Sequence, residues 1–163
     1  MRYTPGSYVI GPYLRLHQAL YERTDGRLGR HVGGNDALLL HTTGRRTGKR
    51  RTAALLYARD GDAYIVVASN GGAPRHPGWF LNVRADPEVE VQVGRRRWRA
   101  RARIATGDER ERLWRLVNRT NRSLAPLFHP GAAGRYEVYQ RHTTREIPVV
   151  VLEPEAGGDT TPA

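Results

Sequence analysis

Apolar and polar residues alternate strictly in two neighbouring segments of the chain. Valine occupies every second position from 89 to 93, and apolar residues occupy every second position from 98 to 104, with Gly94-Arg95 between the segments. A period of two predicts β-strands, and the short connection predicts a hairpin with one buried and one charged face. The polar positions are Glu88, Glu90 and Gln92 on the first strand and arginines on the second, so ion pairs between the glutamates and the arginines are expected.

Four further apolar segments also predict strands. Positions 37–43, 52–57 and 63–69 follow one another closely, separated by a basic turn and by the tight turn Asp60-Gly61-Asp62. This spacing is typical of an antiparallel meander. The last strand is predicted over 147–152, which brings the total to about six antiparallel strands.

Two apolar patterns with the period of a helix lie in the middle of the chain. A short helix over 78–84 is predicted to open after Pro77, because proline favours the first turn. A longer helix over 106–122 is predicted to begin at Thr106, which stands three residues before Glu109 as in a capping box.

Helical patterns are also present near both ends of the chain. An amphipathic stripe predicts a helix over 13–24, and a helical turn over 135–142 places Tyr136 and Tyr139 on one face. Segments with neither period are predicted to be irregular: 27–36, 70–74 and 123–134.

The order of these elements predicts an α+β domain built on a partly open β-barrel. A chain of 163 residues with 39% hydrophobic content fits one compact domain. We expect an N-terminal helix and loop over 1–36, the barrel over 37–154, and a polar, disordered tail over 155–163.

The composition excludes several kinds of site. The chain has no cysteine, so disulfides, thiolate metal sites and a cysteine nucleophile are excluded. Its six histidines lack the spacing of metal ligands, so no metal site is expected, and His41 is interpreted as a core residue of an apolar strand. No apolar segment approaches the roughly 20 residues of a membrane span, and Met1 to Gly11 lack a secretion signal. We therefore expect a cytoplasmic protein.

Positive charge is concentrated in one turn. The formal net charge is +11, and five of the seven residues from Arg45 to Arg51 are cationic. Gly44 and Gly48 allow the backbone to approach a ligand, and converging guanidinium groups favour phosphate. The turn joins two strands and lacks the Walker pattern. It predicts a site for a phosphate-bearing ligand; the alternatives are a solvated hairpin tip and a nucleic-acid surface continued by the arginines of 97–103.

The second candidate feature is the segment 68–79, which leaves a strand, passes two glycines and enters a helix after Pro77. The first N–H groups of a helix have no intrahelical partner and can bind a phosphate or carbonyl oxygen. Trp79 offers a flat apolar wall for a ring system, although simple core packing of Trp79 and Phe80 is an equal alternative.

Both features belong to a longer sequence pattern. The chain contains LLLHTTGRRTGKRRT, then LYARDGDAYIVVASNGGAPRHPGWFLNVRADPEVEV, and finally REIPVVVLEP. From about 37 to 154 it resembles the deazaflavin-dependent nitroreductase and quinone reductase family, which uses coenzyme F420, an 8-hydroxy-5-deazaflavin. The resemblance implies a split β-barrel related to FMN-binding flavoproteins.

The resemblance also implies roles for individual residues. The phosphate and anionic tail of the cofactor would be held by the turn residues Arg45, Arg46, Thr47, Gly48, Lys49 and Arg51. The deazaflavin ring and its linker would be held by Ala68, Ser69, Asn70, Gly78, Trp79 and Asn82. Tyr136 would face the substrate and assist its reduction, helped by Ser69. Asn70 stands at a frequently basic position, and Leu56 and Ala133 stand where pocket tyrosines occur, which implies an altered substrate pocket.

These implications predict an F420-dependent oxidoreductase. It would transfer a hydride from the reduced coenzyme to a quinone, a nitro compound or another small, hydrophobic, electron-poor acceptor, with FMN as the second candidate cofactor. The first alternative is a protein of the same fold that stores or senses a flavin or deazaflavin without turnover. Nucleic-acid binding is disfavoured, because Glu88 and Glu90 are expected beside the arginines of 97–103.

The resemblance does not decide the oligomeric state of the protein or its contact with a membrane. Either a monomer or a homodimer is expected. Family members can use the region before the barrel to touch a membrane, so peripheral contact with the inner membrane face is an alternative to a purely cytoplasmic location.

Overall fold

Eight antiparallel strands form one sheet in the computed structural model, which describes residues 35–121 and 135–161 together with positions 19, 21, 23, 24, 31 and 32. In chain order the strands are β1 (His31–Val32), β2 (Asn35–Thr43), β3 (Arg50–Leu56), β4 (Ala58–Asp60), β5 (Ala63–Val67), β6 (Glu88–Val93), β7 (Arg96–Ile104) and β8 (Val149–Asp159). The helices within 35–121 and 135–161 are α1 (Gly78–Ala85), α2 (Gly107–Thr120) and α3 (Arg135–Arg141), and Asn70–Gly72 forms a 3-10 turn.

The sheet curls into a barrel that stays open along one side. Its strand order is β1-β2-β6-β7-β8-β5-β4, with β3 paired to β2. Among the described strands β3 pairs with β2 alone, so the sheet does not close into a continuous barrel at β3. The α+β split barrel predicted from the sequence is confirmed, with β1 and β4 as short strands that the pattern did not predict.

The hairpin of β6 and β7 has the faces that its alternation predicts. Val91 lies opposite Trp98, and both side chains belong to the core. Glu88 lies opposite Arg101 and forms an ion pair with it. The alternating pattern therefore gave both the register and one of the expected cross-strand pairs.

One end of the charged face is nevertheless buried. Gln92 is 1% exposed, and its side-chain amide donates a hydrogen bond to the Gly94 carbonyl at 3.0 Å. The Tyr21 hydroxyl accepts a hydrogen bond from the Gly94 N–H at 2.9 Å and donates one to the Ala37 carbonyl at 3.2 Å. Chain from before the barrel thus packs on this face, which the hairpin's own periodicity could not predict. At the far end Ile104, expected to point inward, is 41% exposed.

Two hydrophobic clusters lie on the two faces of the sheet, and β8 contributes to both. Val150 and Leu152 belong to the inner cluster, whereas Val149 and Val151 belong to the outer one. Phe80 of α1 packs in the inner cluster, and α2 and α3 cover the outer one. A strand buried on both faces explains why this segment is continuously apolar rather than alternating.

The C-terminal strand is longer than predicted. β8 pairs with β7 as far as Asp159, which lies opposite Trp98 across a register irregularity. Thr160 then donates its N–H to the Arg97 carbonyl at 2.8 Å. The prediction of a disordered tail over 155–163 is therefore wrong for its described part, because main-chain hydrogen bonds to β7 order a segment whose side chains are polar.

The three described helices lie where periodicity predicted them, but one predicted cap is absent. Thr106 precedes α2 as expected, yet its side chain makes no capping hydrogen bond. Glu109 binds the guanidinium of Arg103 through both carboxylate oxygens, at 2.7 and 2.8 Å. The predicted capping box therefore does not form, because Arg103 of β7 binds the Glu109 carboxylate instead.

Two predicted segments fall wholly or largely outside the described residues. The loop over 123–134, with Ala133, lies outside them. Four positions of the predicted N-terminal helix are described: Ala19, Tyr21, Arg23 and Thr24, the first three helical. The irregular segment predicted over 27–36 instead contains β1 and the start of β2 at its described positions. In the part of the chain that the structure describes, no helix has the length and apolar character to cross a membrane.

Candidate functional site

A cleft of about 360 Å³ lies between the β2–β3 turn and the start of α1. Its walls bring together the two features that the sequence suggested separately. The lining residues are Gly44, Arg45, Arg46, Thr47, Arg51, Thr52, Ala53, Gly78, Trp79 and Asn82. Seven of these were predicted as cofactor-binding residues: Arg45, Arg46, Thr47, Arg51, Gly78, Trp79 and Asn82.

The turn itself is compact and depends on glycine. The Gly44 N–H donates to the Lys49 carbonyl at 2.8 Å, and the N–H groups of Thr47 and Gly48 donate back to the Gly44 carbonyl at 3.0 and 2.7 Å. A Cβ at Gly44 would lie 3.0 Å from the Lys49 carbonyl oxygen, and Gly48 has a φ of +65°. Because the backbone bonds to itself, the exposed cationic side chains are left to face solvent and the cleft.

The turn carries more positive charge than the protein neutralises. Arg50 pairs with Glu90 at 2.5 Å on the far side of the hairpin. Within 35–121 and 135–161, the remaining four cations of the turn have no carboxylate partner: Arg45, Arg46, Lys49 and Arg51. Concentrated, unpaired cations create a positive potential that favours an anionic ligand.

Asn82 of α1 connects the helix to this turn. It is 6% exposed, and its Oδ1 accepts hydrogen bonds from the backbone N–H and from Nη1 of Arg45, both at 3.2 Å. Its Nδ2 donates to Oγ1 of Thr42 at 3.2 Å. Both polar ends of this amide are used inside the protein, so Asn82 holds the wall of the cleft in place.

The start of α1 faces the cleft with unused donors. Pro77 is the N-cap, and the backbone N–H groups of Gly78 and Trp79 have no hydrogen-bond partner in the described structure. A Cβ built on Gly78 would meet no atom within 4 Å, so the space beside it is open. The Trp79 ring is half-buried and lies edge-on to Phe80, with ring centroids 6.1 Å apart at 85°. These groups fit a ligand with carbonyl or phosphate oxygens and a flat ring.

Other predicted residues lie outside the lining of this cleft. Ala68 is fully buried, and Asn70 donates its amide to the Arg75 carbonyl at 3.0 Å in a left-handed conformation with φ of +48°. Ser69 precedes the 3-10 turn and offers its carbonyl to Arg145 at 2.7 Å. Lys49 does not line the cleft either. Gly48 lines a second groove of about 320 Å³ on the other side of the hairpin.

Tyr136 lies away from the cleft, in the outer hydrophobic cluster. It is 4% exposed, and its ring centroid is 6.3 Å from that of Trp114 and 6.4 Å from that of Tyr139. Its hydroxyl accepts a hydrogen bond from Nδ2 of Asn121 at 3.5 Å. The predicted shared face of Tyr136 and Tyr139 is confirmed, and the catalytic role of Tyr136 stays a prediction.

His41 is the core residue that its pattern predicted. It is 7% exposed, and its Nδ1 lies 3.0 Å from Oγ1 of Thr52. Burial and, secondarily, Arg50 lower the pKa of His41 to about 4. In the described part of the chain, no group of three or more His, Asp or Glu side chains is arranged to hold a metal ion.

Arg145 is a contact residue of this region that the sequence reasoning missed. Its guanidinium reaches from the turn before β8 to the segment 68–76. Its neighbourhood in sequence, Thr143 to Glu146, has no glycine, aromatic or charge cluster to mark it. Arg145 is the first residue of the segment REIPVVVLEP, but the residues beside it do not indicate this tertiary contact.

Comparison with known proteins adds an independent observation. The model of the family described as F420H(2)-dependent quinone reductase matches residues 13–154. An F420H(2)-dependent quinone reductase of Mycobacterium tuberculosis (strain H37Rv) is 48% identical over 142 residues, which cover 85% of this chain and 88% of the relative.

Two solved structures resemble this chain in both sequence and fold. A structure titled as an F420-H2 dependent reductase is 37% identical with a TM-score of 0.59, covering 72% of this chain and 93% of that one. Another, titled as a domain-swapped dimer, is 34% identical with a TM-score of 0.61, covering 92% of this chain and all of that one. The match spans most of the barrel and both walls of the cleft, and the chain belongs to the F420H(2)-dependent quinone reductase family.

Proposed function

We propose that this protein is an oxidoreductase that binds coenzyme F420 in the cleft between the β2–β3 turn and α1, and passes a hydride from its reduced form to a quinone. The observation that carries the proposal is the juxtaposition of unpaired cations with an unused helix N-terminus and the face of Trp79. An anionic coenzyme with a flat ring needs each of these three groups.

The turn is proposed to hold the phosphate and the anionic tail. Arg45, Arg46 and Arg51 line the cleft together with the Thr47 hydroxyl, and Gly48 and Lys49 complete the turn beside them. Planar guanidinium groups suit phosphate and carboxylate oxygens, which accept two hydrogen bonds in one plane. Four unpaired cations exceed what a single phosphate of about two negative charges requires. The surplus favours F420, with its anionic tail, over FMN.

The start of α1 and the preceding loop are proposed to hold the ring. The free N–H groups of Gly78 and Trp79 would donate to a ring carbonyl or linker oxygen, and the Trp79 indole would cover one ring face. Ser69 and Asn70 would reach the ring from the segment that leads into α1, and the buried Ala68 would position them. Asn82 would act through Arg45, whose guanidinium it orients.

The chain's part in the chemistry is to orient and enclose the two reactants. When bound, the reduced coenzyme supplies the hydride, and the protein gains rate by fixing the distance and angle to the acceptor. Quinones, nitro compounds and other electron-poor acceptors all meet that requirement, and the family favours a quinone. Tyr136, helped by Ser69, is the proposed source of the proton that completes the reduction.

The direct test is a titration of the purified protein with F420 and with FMN, followed by quenching of tryptophan fluorescence. Micromolar affinity for F420 and weaker affinity for FMN are expected, and Trp79→Phe should remove most of the quenching. Arg45→Glu reverses charge in the cleft and should abolish F420 binding. Arg119→Glu makes the same charge change on the exposed side of α2 and should leave affinity unchanged. Equal affinity of the two variants would contradict the assigned site.

A second candidate is a protein that stores or senses the coenzyme without turnover. The position of Tyr136 in the outer cluster, away from the cleft, favours it. A steady-state assay that follows oxidation of the reduced coenzyme by menadione separates the two functions. Turnover that saturates with menadione supports the reductase, whereas tight binding without turnover supports storage or sensing.

A further inference from the structure

The Arg145 side chain binds the segment 68–76 at several points. Nε of Arg145 donates to the Ala73 carbonyl at 2.9 Å, and Nη2 donates to the carbonyls of Ser69 and Ala68 at 2.7 and 3.3 Å. Nη1 lies 3.3 Å from Nδ1 of His76. One planar guanidinium thus serves four acceptors spread over nine residues, a geometry that an ammonium group cannot reproduce.

The middle of the segment is a turn of three consecutive left-handed residues. Asn70, Gly71 and Gly72 follow one another with φ values of +48°, +62° and +79°. Two internal hydrogen bonds support them: the Gly72 N–H donates to Ser69 and the Ala73 N–H to Asn70. Glycine and asparagine adopt this region readily, so the turn suits its sequence, and Arg145 fixes where the turn lies relative to the rest of the protein.

The turn that carries Arg145 is itself held by Gln140 of α3. The Gln140 amide of α3 donates to the Arg145 carbonyl at 2.8 Å, and its Oε1 accepts the Ile147 N–H at 2.9 Å. On the same side of the segment, a Cβ at Gly72 would lie 2.7 Å from the Tyr139 carbonyl, so the loop lies directly on α3. The turn that carries Arg145 is therefore fixed relative to the loop it binds.

We infer that Arg145 is a positioning residue of the cofactor cleft: by holding the segment 68–76, it sets the position of the start of α1 relative to the basic turn. This inference rests on the proposed function. Pro77 follows His76 directly and caps α1, so displacement of the segment moves the donors of Gly78 and the Trp79 ring relative to Arg45. The pair of Arg145 and His76 also requires a neutral His76 whose Nδ1 accepts the hydrogen bond.

The charges around His76 favour that neutral form. Burial, then Arg145 and Arg84, lower the pKa of His76 below its usual value. Its ring packs on Phe80, with centroids 4.9 Å apart. A proton on Nδ1 would replace the accepted hydrogen bond with two facing cations, and the fastening of the segment by Arg145 would loosen at low pH.

The first test replaces Arg145 while keeping its charge. Arg145→Lys should weaken F420 binding about tenfold, the equivalent of one charged hydrogen bond, and raise the KM for the reduced coenzyme equally while the KM for menadione stays unchanged. Arg141→Lys, on the exposed face of α3, is the matched control and should behave as wild type. An Arg145→Lys protein that loses active fraction but keeps the wild-type Kd would show a structural role only and overturn the inference.

The second test uses the geometry of the acceptor. His76→Asn places an amide oxygen where Nδ1 lies and cannot titrate, whereas His76→Gln places it elsewhere. Wild-type affinity for F420 should fall as the pH is lowered from 8 to 5, and the ratio of wild-type to His76→Asn affinity should fall with it. His76→Gln should bind weakly throughout. Because both proteins bind the same ligand, parallel curves of F420 affinity against pH for wild type and His76→Asn would contradict the inference.

Hydrogen exchange separates this inference from the proposed function. The amides of Gly72 and Ala73 should exchange at least about tenfold faster in Arg145→Lys than in wild type, with or without coenzyme. If wild type binds no F420 but this acceleration is seen, the proposed function fails and the fastening stands. If F420 binds and the amides exchange alike in both proteins, the fastening fails and the function stands.

Discussion

The side-chain oxygen of Asn82 accepts two hydrogen bonds from Arg45, one from its backbone N–H and one from its guanidinium, each at 3.2 Å. This joins the middle of α1 to the first cation of the basic turn, across 37 positions of sequence. The contact aligns the two walls of the cleft and points one guanidinium along it. Preorganised cations bind an anion more tightly than mobile ones, because less side-chain entropy is lost on binding.

Two substitutions of Asn82 should separate stability from binding. Asn82→Ala leaves the Thr42 and Arg45 groups without their buried partner, and the free energy of unfolding should fall by about 1–3 kcal/mol. Asn82→Asp keeps an acceptor for Arg45 but neutralises its charge. Urea unfolding should therefore rank Asp above Ala, whereas F420 titration should rank Asp below Ala. The same ranking in both experiments would mean that Asn82 affects binding through stability alone.

Local sequence patterns predicted the basic turn and the start of α1, but they did not predict that these two elements lie side by side. The charge of the turn and the helix start after Pro77 are both readable from sequence, since each is a property of fewer than a dozen neighbouring residues. Whether the two lie side by side depends on how α1 packs on β2. Asn82 makes that contact, through hydrogen bonds with Arg45 of the turn and Thr42 of β2. The family resemblance supplied that long-range information, because it carries the whole fold with it.

Tertiary competition explains the predictions that were wrong. Glu109 is suited to a capping box, but Arg103 on β7 lies within reach and offers two charged hydrogen bonds. Gln92 alternates as a solvent-facing residue, yet Tyr21 arrives from outside the hairpin and covers its face. The residues beside Arg145 do not indicate its tertiary contact. Tyr21 and Arg145 each bind a residue more than 70 positions away, whereas Arg103 is six positions from Glu109 but lies on a different element.

Acid should destabilise the protein through His41. The pKa of His41 is lowered from 6.5 to about 4 by burial and then by Arg50, so the folded state stays unprotonated where the unfolded state binds a proton. Its contribution is complete above about pH 6.5 and is lost as the pH falls toward 4, by roughly 3 kcal/mol in total. Urea unfolding at pH 7.5, 6.5, 5.5 and 4.5 measures this slope.

His41→Gln should flatten the slope between pH 6.5 and 4.5, although it lowers stability at neutral pH. The pKa of His76 is lowered as well, by burial and then by Arg145, so the comparison is best made with His76→Asn in both proteins. Glu90, whose pKa is also lowered, contributes only below its ordinary value of about 4.3. An unchanged slope in His41→Gln would show that His41 is not the group responsible.

Removal of the end of β8 should weaken the barrel at Trp98. A chain that stops at Pro154 lacks Asp159, which lies opposite Trp98, and the main-chain hydrogen bond of Thr160 to Arg97. Trp98 is 9% exposed in the full chain. The shortened protein should lose about 1–2 kcal/mol of unfolding free energy and show red-shifted tryptophan emission. A chain that stops at Thr161 is the control, and identical spectra for both would contradict the extended strand.

Tyr136→Phe tests the proposed proton donor against simple packing. The Tyr136 hydroxyl is buried and bonded to Asn121 at 3.5 Å, and phenylalanine keeps the ring, so the substitution should cost only about 1–2 kcal/mol of stability. A proton donor, by contrast, contributes about a hundredfold or more to rate. Stopped-flow measurement of acceptor reduction, with F420 affinity taken separately, distinguishes the two roles.

Tyr139→Phe supplies the matched comparison, because Tyr139 lies on the same face of α3 with its ring 6.4 Å from that of Tyr136. A hundredfold slower reduction in Tyr136→Phe alone, at wild-type affinity, assigns the proton to Tyr136 and requires that its hydroxyl reach the acceptor during turnover. Small and equal effects in both variants assign Tyr136 to the outer cluster. The proton must then come from solvent, and catalysis in this protein would reduce to holding the coenzyme and acceptor in place.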